Sequence, residues 1–171
     1  QTIQSGLSVQ AFEIGFNSGF SALLMLSANP NLYLTCVDLC SHSYTIPCYN
    51  KLKELFGDRI RLIQGNSIVE CTRMDLNVKY SLFHIDGGHD DLCITSDVLN
   101  CIRLAADESV FVIDDYDFEN ISRVWNAICS LFSKGKGRFE DLSLNGLNGS
   151  NALNILIPTK YHSIKKWVGQ E

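Results

Sequence analysis

The chain has 171 residues, of which 46% are hydrophobic and 19% charged, and its formal net charge is −5. This length fits one domain spanning residues 1–171, and the apolar content is enough for a packed core, which excludes a disordered chain. The acidic balance argues against nucleic acid as a partner, because non-specific binding to nucleic acid needs a basic surface. No apolar run approaches the ~20 residues of a transmembrane helix, so no membrane partner is expected.

Short apolar runs alternate with longer amphipathic stretches along the chain. In order, we predict a strand over 11–14, a helix over 18–27, a strand over 32–37, a helix over 47–56, strands over 60–63 and 80–85, a helix over 90–105, a strand over 109–113, a helix over 118–132, and a strand pair over 138–144 and 152–157. Such alternation predicts an α/β fold, with helices on both faces of a mostly parallel sheet. Ligands of such sheets bind beyond the carboxyl ends of the strands.

The seven cysteines are odd in number and form no CxxC pair. Several lie within apolar segments, which favours buried free thiols in a reducing compartment and hence a cytoplasmic protein, with a zinc site as the alternative. Because the chain begins with Gln1 rather than Met, we expect residues to be missing from the N-terminus.

The first candidate site follows the first two predicted strands. Glu13, Gly15 and Gly19 form an ExGxxxG pattern, which matches neither the GxGxxG of dinucleotide sites nor the GxxxxGK of a phosphate loop. The glycines would let a ligand approach the backbone, although an ordinary tight turn is the alternative. Asp38 ends the second strand, where a carboxylate can accept both ribose hydroxyls of an adenosine; a helix cap is the alternative.

Polar residues also end the next three strands. Asn66 and Ser67 suit either an adenine edge or a helix N-cap, or both. Asp86, Asp114 and Asp115 would repel one another unless a cation intervenes, and oxygen ligands favour Mg²⁺. His89 lies three residues beyond Asp86, where it could act as a general base. Caps and turns are the alternative for these residues. We expect His84 to be packed in the core and His162 to lie on the tail surface. His42, in the loop after Asp38, could face a ligand, but we expect it to have no such role.

Four segments together resemble class I S-adenosylmethionine-dependent methyltransferases, of the group that includes macrolide-sugar O-methyltransferases. They are EIGFNSGFSA (13–22), VD (37–38), HIDGGH (84–89) and VIDDY (112–116), and the resemblance covers about residues 11–157. It implies a three-layer Rossmann-like sheet of seven strands with the last strand antiparallel. Two departures are Phe20, where relatives often carry His, and Asn66, where many carry Asp.

The resemblance also implies residue roles. It assigns Glu13, Gly15 and Gly19 to the methionine end of S-adenosylmethionine, Asp38 to the ribose, Asn66 and Ser67 to the adenine, Asn17 and Asp86 to cofactor binding, Asp86, Asp114 and Asp115 to a divalent metal such as Mg²⁺, and Asp86 and His89 to catalysis. The implied reaction is metal-assisted methylation of a hydroxyl on a small molecule, such as a sugar or a phenol. The alternatives are a non-catalytic S-adenosylmethionine-binding module and a nucleic-acid methyltransferase. The partners considered are a small-molecule substrate and a second copy of the chain in a homo-oligomer.

Overall fold

The helices and strands follow the predicted alternation. The computed structural model describes residues 8–134, 137–141 and 161–169. The elements are β1 (Val9–Ile14), α1 (Phe20–Ala28), β2 (Leu32–Asp38), α2 (Thr45–Phe56), β3 (Ile60–Gln64), α3 (Ser67–Glu70), β4 (Tyr80–Ile85), α4 (Asp91–Leu104), β5 (Ala105–Ile113), α5 (Glu119–Leu131), β6 (Arg138–Asp141) and β7 (Ser163–Val168). Strand β5 begins four residues before the predicted strand, because Ala105 already pairs with Tyr80 of β4.

The strands form one seven-stranded sheet in the order β3-β2-β1-β4-β5-β7-β6. Strands β1 to β5 pair in parallel, whereas β7 runs antiparallel to both β5 and β6. This arrangement confirms the expected mostly parallel sheet with the last strand antiparallel.

Two apolar clusters cover the two faces of the sheet. Successive side chains of a strand point to opposite faces. Phe12 accordingly packs in the cluster that includes Val98 of α4 and Trp125 of α5, whereas Ala11 packs with Leu26 of α1 and Leu52 of α2. The resulting helix–sheet–helix sandwich is the expected three-layer architecture.

The tail differs from the prediction in one strand. The expected strand over 138–144 corresponds to β6, while the one over 152–157 lies outside the described residues. Strand β7 was not predicted, because its sequence SIKKWV is only half-buried and shows no clear alternation. It is held by Trp167, whose ring lies 4.9 Å from that of Phe139.

All seven cysteines are free thiols, and three of them, Cys36, Cys71 and Cys101, are buried. None of the helices in the described part of the chain combines the length and the apolar character that crossing a membrane requires.

Candidate active site

The loops that follow β1 to β5 meet around one cleft at the carboxyl edge of the sheet. Its volume is about 580 Å³. It lies where the strand order reverses between β1 and β4, which is where open α/β sheets bind ligands. The lining residues are Ile14, Gly15, Asn17, Val37, Asp38, Leu39, Ser41, His42, Gly65, Asn66, Ser67, Asp86, Gly87, Gly88, His89, Cys93, Asp114 and Asp115.

The two glycines of the first motif make room for protein rather than for a ligand. Gly15 has φ +91°, and a Cβ there would lie 1.9 Å from the carbonyl oxygen of Asp86, so glycine lets the ends of β1 and β4 approach closely. Gly19 precedes α1 with φ +77°, and its Cβ would lie 2.5 Å from Phe16 Cζ and 2.9 Å from Leu52 Cδ1. Gly15 still borders the cleft, whereas Gly19 is not among its lining residues.

The carboxylate of Asp38 is fixed in the wall of the cleft. The backbone N–H of Asn17 donates to Oδ2 at 2.8 Å, and that of Cys40 donates to Oδ1 at 2.6 Å. Tyr44, which precedes α2, donates its hydroxyl hydrogen to Asn17 Oδ1 at 2.7 Å. Asp38 therefore caps no helix, and each of its oxygens retains lone-pair capacity for a ligand.

Asn66 serves as the N-cap of α3. Its side-chain oxygen accepts the backbone N–H of Ile68 at 2.9 Å. This confirms the predicted cap, and because Asn66 and Ser67 also border the cleft, a contact with adenine is compatible with it.

Glu13 is fully buried and does not border the cleft. Ser21 Oγ donates to its Oε1 at 2.5 Å, Cys36 Sγ to its Oε2 at 3.2 Å, and His84 Nδ1 lies 3.2 Å from Oε1. Burial disfavours the charged imidazole of His84, but the hydrogen bond to Glu13 and the negative charges of Glu13, Asp86 and Asp114 together raise the pKa of His84. Glu13 thus ties β1 to α1, β2 and β4, and His84 is packed as predicted.

Asp86, His89 and Asp115 converge at the other end of the cleft. One ligand atom from each lies within 4.8 Å of the others, and His89 Nε2 lies 3.0 Å from Asp115 Oδ2. Burial, followed by the negative charge of Asp114, raises the pKa of Asp86 to about 7. A cation placed among these groups would relieve the repulsion between the carboxylates.

The donor set fits a divalent cation. The carboxylates of Asp86 and Asp115 are ordinary ligands of such ions, and His89 lies beside them. With metal–oxygen bonds of about 2.1 Å for Mg²⁺ and about 2.4 Å for Ca²⁺, ligands on opposite sides of the ion lie roughly 4–5 Å apart, which matches the observed spacing.

Asp114 does not belong to this group, although it borders the cleft. Its Oδ1 accepts the backbone N–H of Asp115 at 2.8 Å and lies 3.0 Å from His162 Nε2. The expectation that His162 lies on the tail surface is therefore wrong. The pairing of Ile113 with Ser163 in the antiparallel β5–β7 ladder brings the two next residues, Asp114 and His162, together.

Three residues near the site have no counterpart in the sequence-based prediction. Asn120 Nδ2 donates to the carbonyl oxygen of His89, and the Phe118 ring lies 5.5 Å from the His89 ring. Both residues lie at the start of α5. The helix itself was predicted, but not that its first residues contact His89. Cys93 of α4 also borders the cleft. His42, for which no ligand role was expected, borders it as well and stacks on Tyr44 at 5.0 Å.

Comparison with known proteins identifies the family. Residues 12–116 match the family model of a methyltransferase domain. The chain belongs to this methyltransferase family. No curated protein sequence matches this methyltransferase.

Solved structures share the fold of this methyltransferase. The O-methyltransferase TomG from Streptomyces achromogenes, which is involved in tomaymycin synthesis and was solved with S-adenosylmethionine, aligns with a TM-score of 0.65 and 11% identity over 95% of this chain and 73% of its own. NcsB1, an O-methyltransferase of neocarzinostatin biosynthesis, gives 0.60 and 14% over 94% of this chain and 48% of its own. A Clostridium thermocellum protein with a proposed rRNA-methylase function gives 0.67 and 10% over 96% and 89%. At these identities the likeness establishes the class I methyltransferase fold.

Proposed function

We propose that the chain binds S-adenosylmethionine and methylates a hydroxyl oxygen of a small molecule with the help of a divalent cation. The observation that carries this proposal is the single cleft that joins the fixed carboxylate of Asp38 to the group formed by Asp86, His89 and Asp115. Its volume of about 580 Å³ lies in the range of small-molecule sites.

The cofactor end of the cleft is formed by the loops after β1, β2 and β3. Asp38 accepts the ribose hydroxyls, and Asn66 and Ser67 border the adenine. Gly15 and Asn17 line the methionine side. Glu13 and Gly19 do not border the cleft and contribute by fixing the β1–α1 turn. The two backbone N–H groups that hold Asp38 keep its carboxylate oriented before any ligand arrives.

The acceptor end is formed by the loops after β4 and β5, whose carboxylates would hold the cation. When bound, S-adenosylmethionine supplies the methyl group as a sulfonium, and the divalent cation lowers the pKa of the acceptor hydroxyl. Asp115 orients the His89 ring through Nε2, which leaves Nδ1 to accept the proton of the acceptor hydroxyl. Asn120 and Phe118 fix the backbone and the ring of His89, so that the chain contributes mainly orientation.

Two observations favour a small-molecule acceptor over a nucleic acid. The net charge of −5 disfavours binding to a phosphate backbone. Among the structural relatives, NcsB1 was solved together with 2-hydroxy-5-methyl naphthoic acid, a small hydroxylated aromatic compound.

Titration calorimetry with S-adenosylhomocysteine tests the cofactor assignment. We expect Asp38→Ala to weaken binding by roughly tenfold or more, because hydrogen bonds to a charged carboxylate contribute about 1.5–3 kcal/mol. The control is Asp58→Ala, which removes an exposed carboxylate that pairs with Lys53 outside the cleft. Equal affinities in the wild type and in Asp38→Ala would contradict the assignment.

His89→Ala tests the proton acceptor. We expect kcat for methylation of a hydroxyl acceptor to fall by about 10²–10⁴, the usual contribution of a general base, with little change in the affinity for S-adenosylhomocysteine. Unchanged turnover, assayed across a panel of phenol and sugar acceptors, would remove His89 from the mechanism.

A further inference from the structure

A second, small cavity lies beneath the turn that joins β4 to α4 (residues 86–90). Its volume is about 20 Å³, and it is lined by the carboxylates of Asp86, Asp97 and Asp114, by residues 87–89 of the turn and by four isoleucines. Residues 86–89 also line the large cleft, so the β4–α4 turn forms the wall between the two spaces. A space of about 10–15 Å³ holds one water if two to four polar groups surround it. The cavity therefore has the size and the polarity that one bound water requires.

Asp97 of α4 borders this cavity with an unsatisfied carboxylate. The residue is fully buried, and neither of its oxygens has a hydrogen-bond partner within the described residues. Burying a carboxylate without hydrogen bonds is strongly unfavourable, and buried polar groups are therefore almost always paired. Asp97 Oδ2 lies only 2.7 Å from the position that a Cβ of Gly87 would occupy, so it is close to the backbone of the turn. A hydrogen-bond donor inside the cavity would satisfy it.

The β4–α4 turn offers groups that a water can connect to Asp97. The backbone N–H groups of Gly87 and Gly88 donate to no acceptor in the part of the chain that the structure describes. A bridging water can donate to Asp97 and accept from an N–H of the turn at the same time. The two glycines make room for their neighbours, since a Cβ on Gly88 would lie 2.9 Å from Cys93 Sγ, but they also leave the turn conformationally free. A link to the buried helix α4 would restrict that freedom.

A metal ion fits this small cavity less well than a water does. Among the described residues, the ligand atoms close enough to share one ion are those of Asp86, His89 and Asp115, and Asp97 does not belong to that group. Divalent cations such as Mg²⁺ and Ca²⁺ also need six or more ligands, which include several waters for Mg²⁺. A space for about one water, closed by isoleucine side chains, cannot hold such a shell.

We propose that one water in this cavity links the carboxylate of Asp97 to the β4–α4 turn, and that Asp97 is thereby a positioning residue for methyl transfer. The turn carries Asp86 and His89, which both border the acceptor end of the cleft. Asn120 binds the carbonyl oxygen of His89 from α5, and the water and Asp97 hold the same turn from beneath. This inference deepens the proposed function and rests on it, because the turn acts in the reaction only if Asp86 and His89 do.

A high-resolution crystal structure of the chain tests the link directly. We expect a water that lies about 2.7–3.2 Å from an oxygen of Asp97 and from a backbone N–H of the β4–α4 turn. A dry cavity, or a water that contacts Asp97 but no group of the turn, would overturn the proposal. So would a cation in the cavity, which shorter contacts of about 2.0–2.6 Å to several oxygens would reveal.

Hydrogen exchange of the β4–α4 turn measures how firmly it is held, and it needs no methyl acceptor. Asp97→Leu keeps the branching of the side chain without its hydrogen-bonding atoms, Asp97→Ala removes both oxygens without overpacking, and Asp97→Asn keeps an oxygen that accepts from the water. We expect the amides of residues 86–89 to exchange about tenfold faster in the Leu and Ala variants than in the wild type, and less than threefold faster in Asp97→Asn.

Val98→Ala is the matched control for this exchange experiment. It truncates the next side chain of α4, which packs in the core on the same face of the sheet. We expect it to lower the melting temperature but to change the exchange of the turn less than threefold. Equal exchange in the wild type and in both apolar variants of Asp97 would overturn the proposal, and so would equal acceleration in Val98→Ala.

Turnover and cofactor affinity separate the positioning role from the proposed function. We expect Asp97→Leu and Asp97→Ala to lower kcat for a phenol or sugar acceptor by about tenfold at saturating Mg²⁺, with less than a threefold change in the affinity for S-adenosylhomocysteine, and Asp97→Asn to retain kcat. Full turnover in both apolar variants would refute the positioning role and leave methyl transfer in place. A folded wild type that binds no S-adenosylhomocysteine would refute the proposed function, and with it this role, even where hydrogen exchange shows that Asp97 holds the turn.

Discussion

The carboxylate of Asp97 lies in the core beneath the turn that carries Gly87 and Gly88. The side chain is fully buried, and neither oxygen has a hydrogen-bond partner within the described residues. A Cβ on Gly87 would lie 2.7 Å from Asp97 Oδ2, so the carboxylate packs directly against the turn that leads to His89. Burial raises the pKa of Asp97 to about 6.

This raised pKa makes stability depend on pH. Between the unfolded pKa near 3.8 and the folded pKa of about 6, the folded state binds more protons than the unfolded state, so the free energy of unfolding falls as pH rises through this window. We expect Asp97→Asn, which removes the buried charge, to raise the melting temperature at pH 8 and to lose most of that gain at pH 4.5. The difference between these two pKa values corresponds to roughly 3 kcal/mol as an upper value for the effect on the free energy of unfolding.

Thermal melts of both proteins from pH 4.5 to 8 measure the difference. The control is Asp75→Asn, which removes the charge of an exposed carboxylate in the loop before β4. A pH-independent difference between Asp97→Asn and the wild type would show that Asp97 does not titrate as its burial indicates.

Single residues differ in how far the sequence defines their surroundings. Asp38, Asp86 and Asp115 end predicted strands, and parallel strands bring their carboxyl ends to one edge, so their position on the cleft could be predicted. His162 could not be placed in this way. Its neighbour Asp114 lies 48 positions earlier and becomes adjacent only through the β5–β7 register, which no local pattern encodes.

At the scale of elements, two loops are joined across the cofactor end of the cleft. Asn17, in the β1–α1 loop with φ +49°, donates its backbone N–H to Asp38 and accepts from the Tyr44 hydroxyl with its side chain. Tyr44 in turn stacks on His42, with the two rings 5.0 Å apart. These contacts connect the β1–α1 loop to the segment before α2.

Removing the Tyr44 hydroxyl should loosen this connection. We expect Tyr44→Phe to weaken binding of S-adenosylhomocysteine by roughly fivefold, since a hydrogen bond of this kind contributes about 1 kcal/mol and keeps Asn17 in a conformation that side chains rarely adopt. Calorimetry checks the affinity, with Tyr33→Phe on the half-exposed face of β2 as the matched control. A loss of the same size in Tyr33→Phe would mean that the effect is not local to the loops.

The helices and strands, like the single residues, divide into those that the sequence predicts and those that it does not. Strands β1 to β5 and helices α1, α2, α4 and α5 were predicted from apolar runs, amphipathic stripes and helix start and stop signals, which are all local patterns. Helix α3 has only four residues, so the sequence indicated its N-cap but not the helix itself, and β7 was not recognised because its pattern is half-buried. Their positions depend on packing against the rest of the sheet.

At the scale of the whole molecule, the cleft at the carboxyl edge of the sheet and the packing of its antiparallel strands depend on different residues. His162 directly precedes β7, and Trp167 lies near the end of this strand. At about 3.3 Å per residue, roughly 17 Å separate the two residues. Trp167 is 7% exposed, and its ring contacts those of Phe132 at 5.3 Å and Phe139 at 4.9 Å. This cluster stabilises the last two strands without reaching the cleft.

Trp167→Ala should therefore lower stability without altering the site. Truncation of a large buried aromatic side chain costs about 3–5 kcal/mol, and for a chain of this size 1 kcal/mol shifts the melting temperature by roughly 2–4 °C. We expect a fall of roughly 6–20 °C, with an unchanged affinity for S-adenosylhomocysteine at 10 °C, where the variant is still folded. Trp167→Phe, which refills most of the volume, should recover part of the loss. A variant that melts normally, or that loses affinity while folded, would show that the two ends of the sheet are coupled in a way that their contacts do not explain.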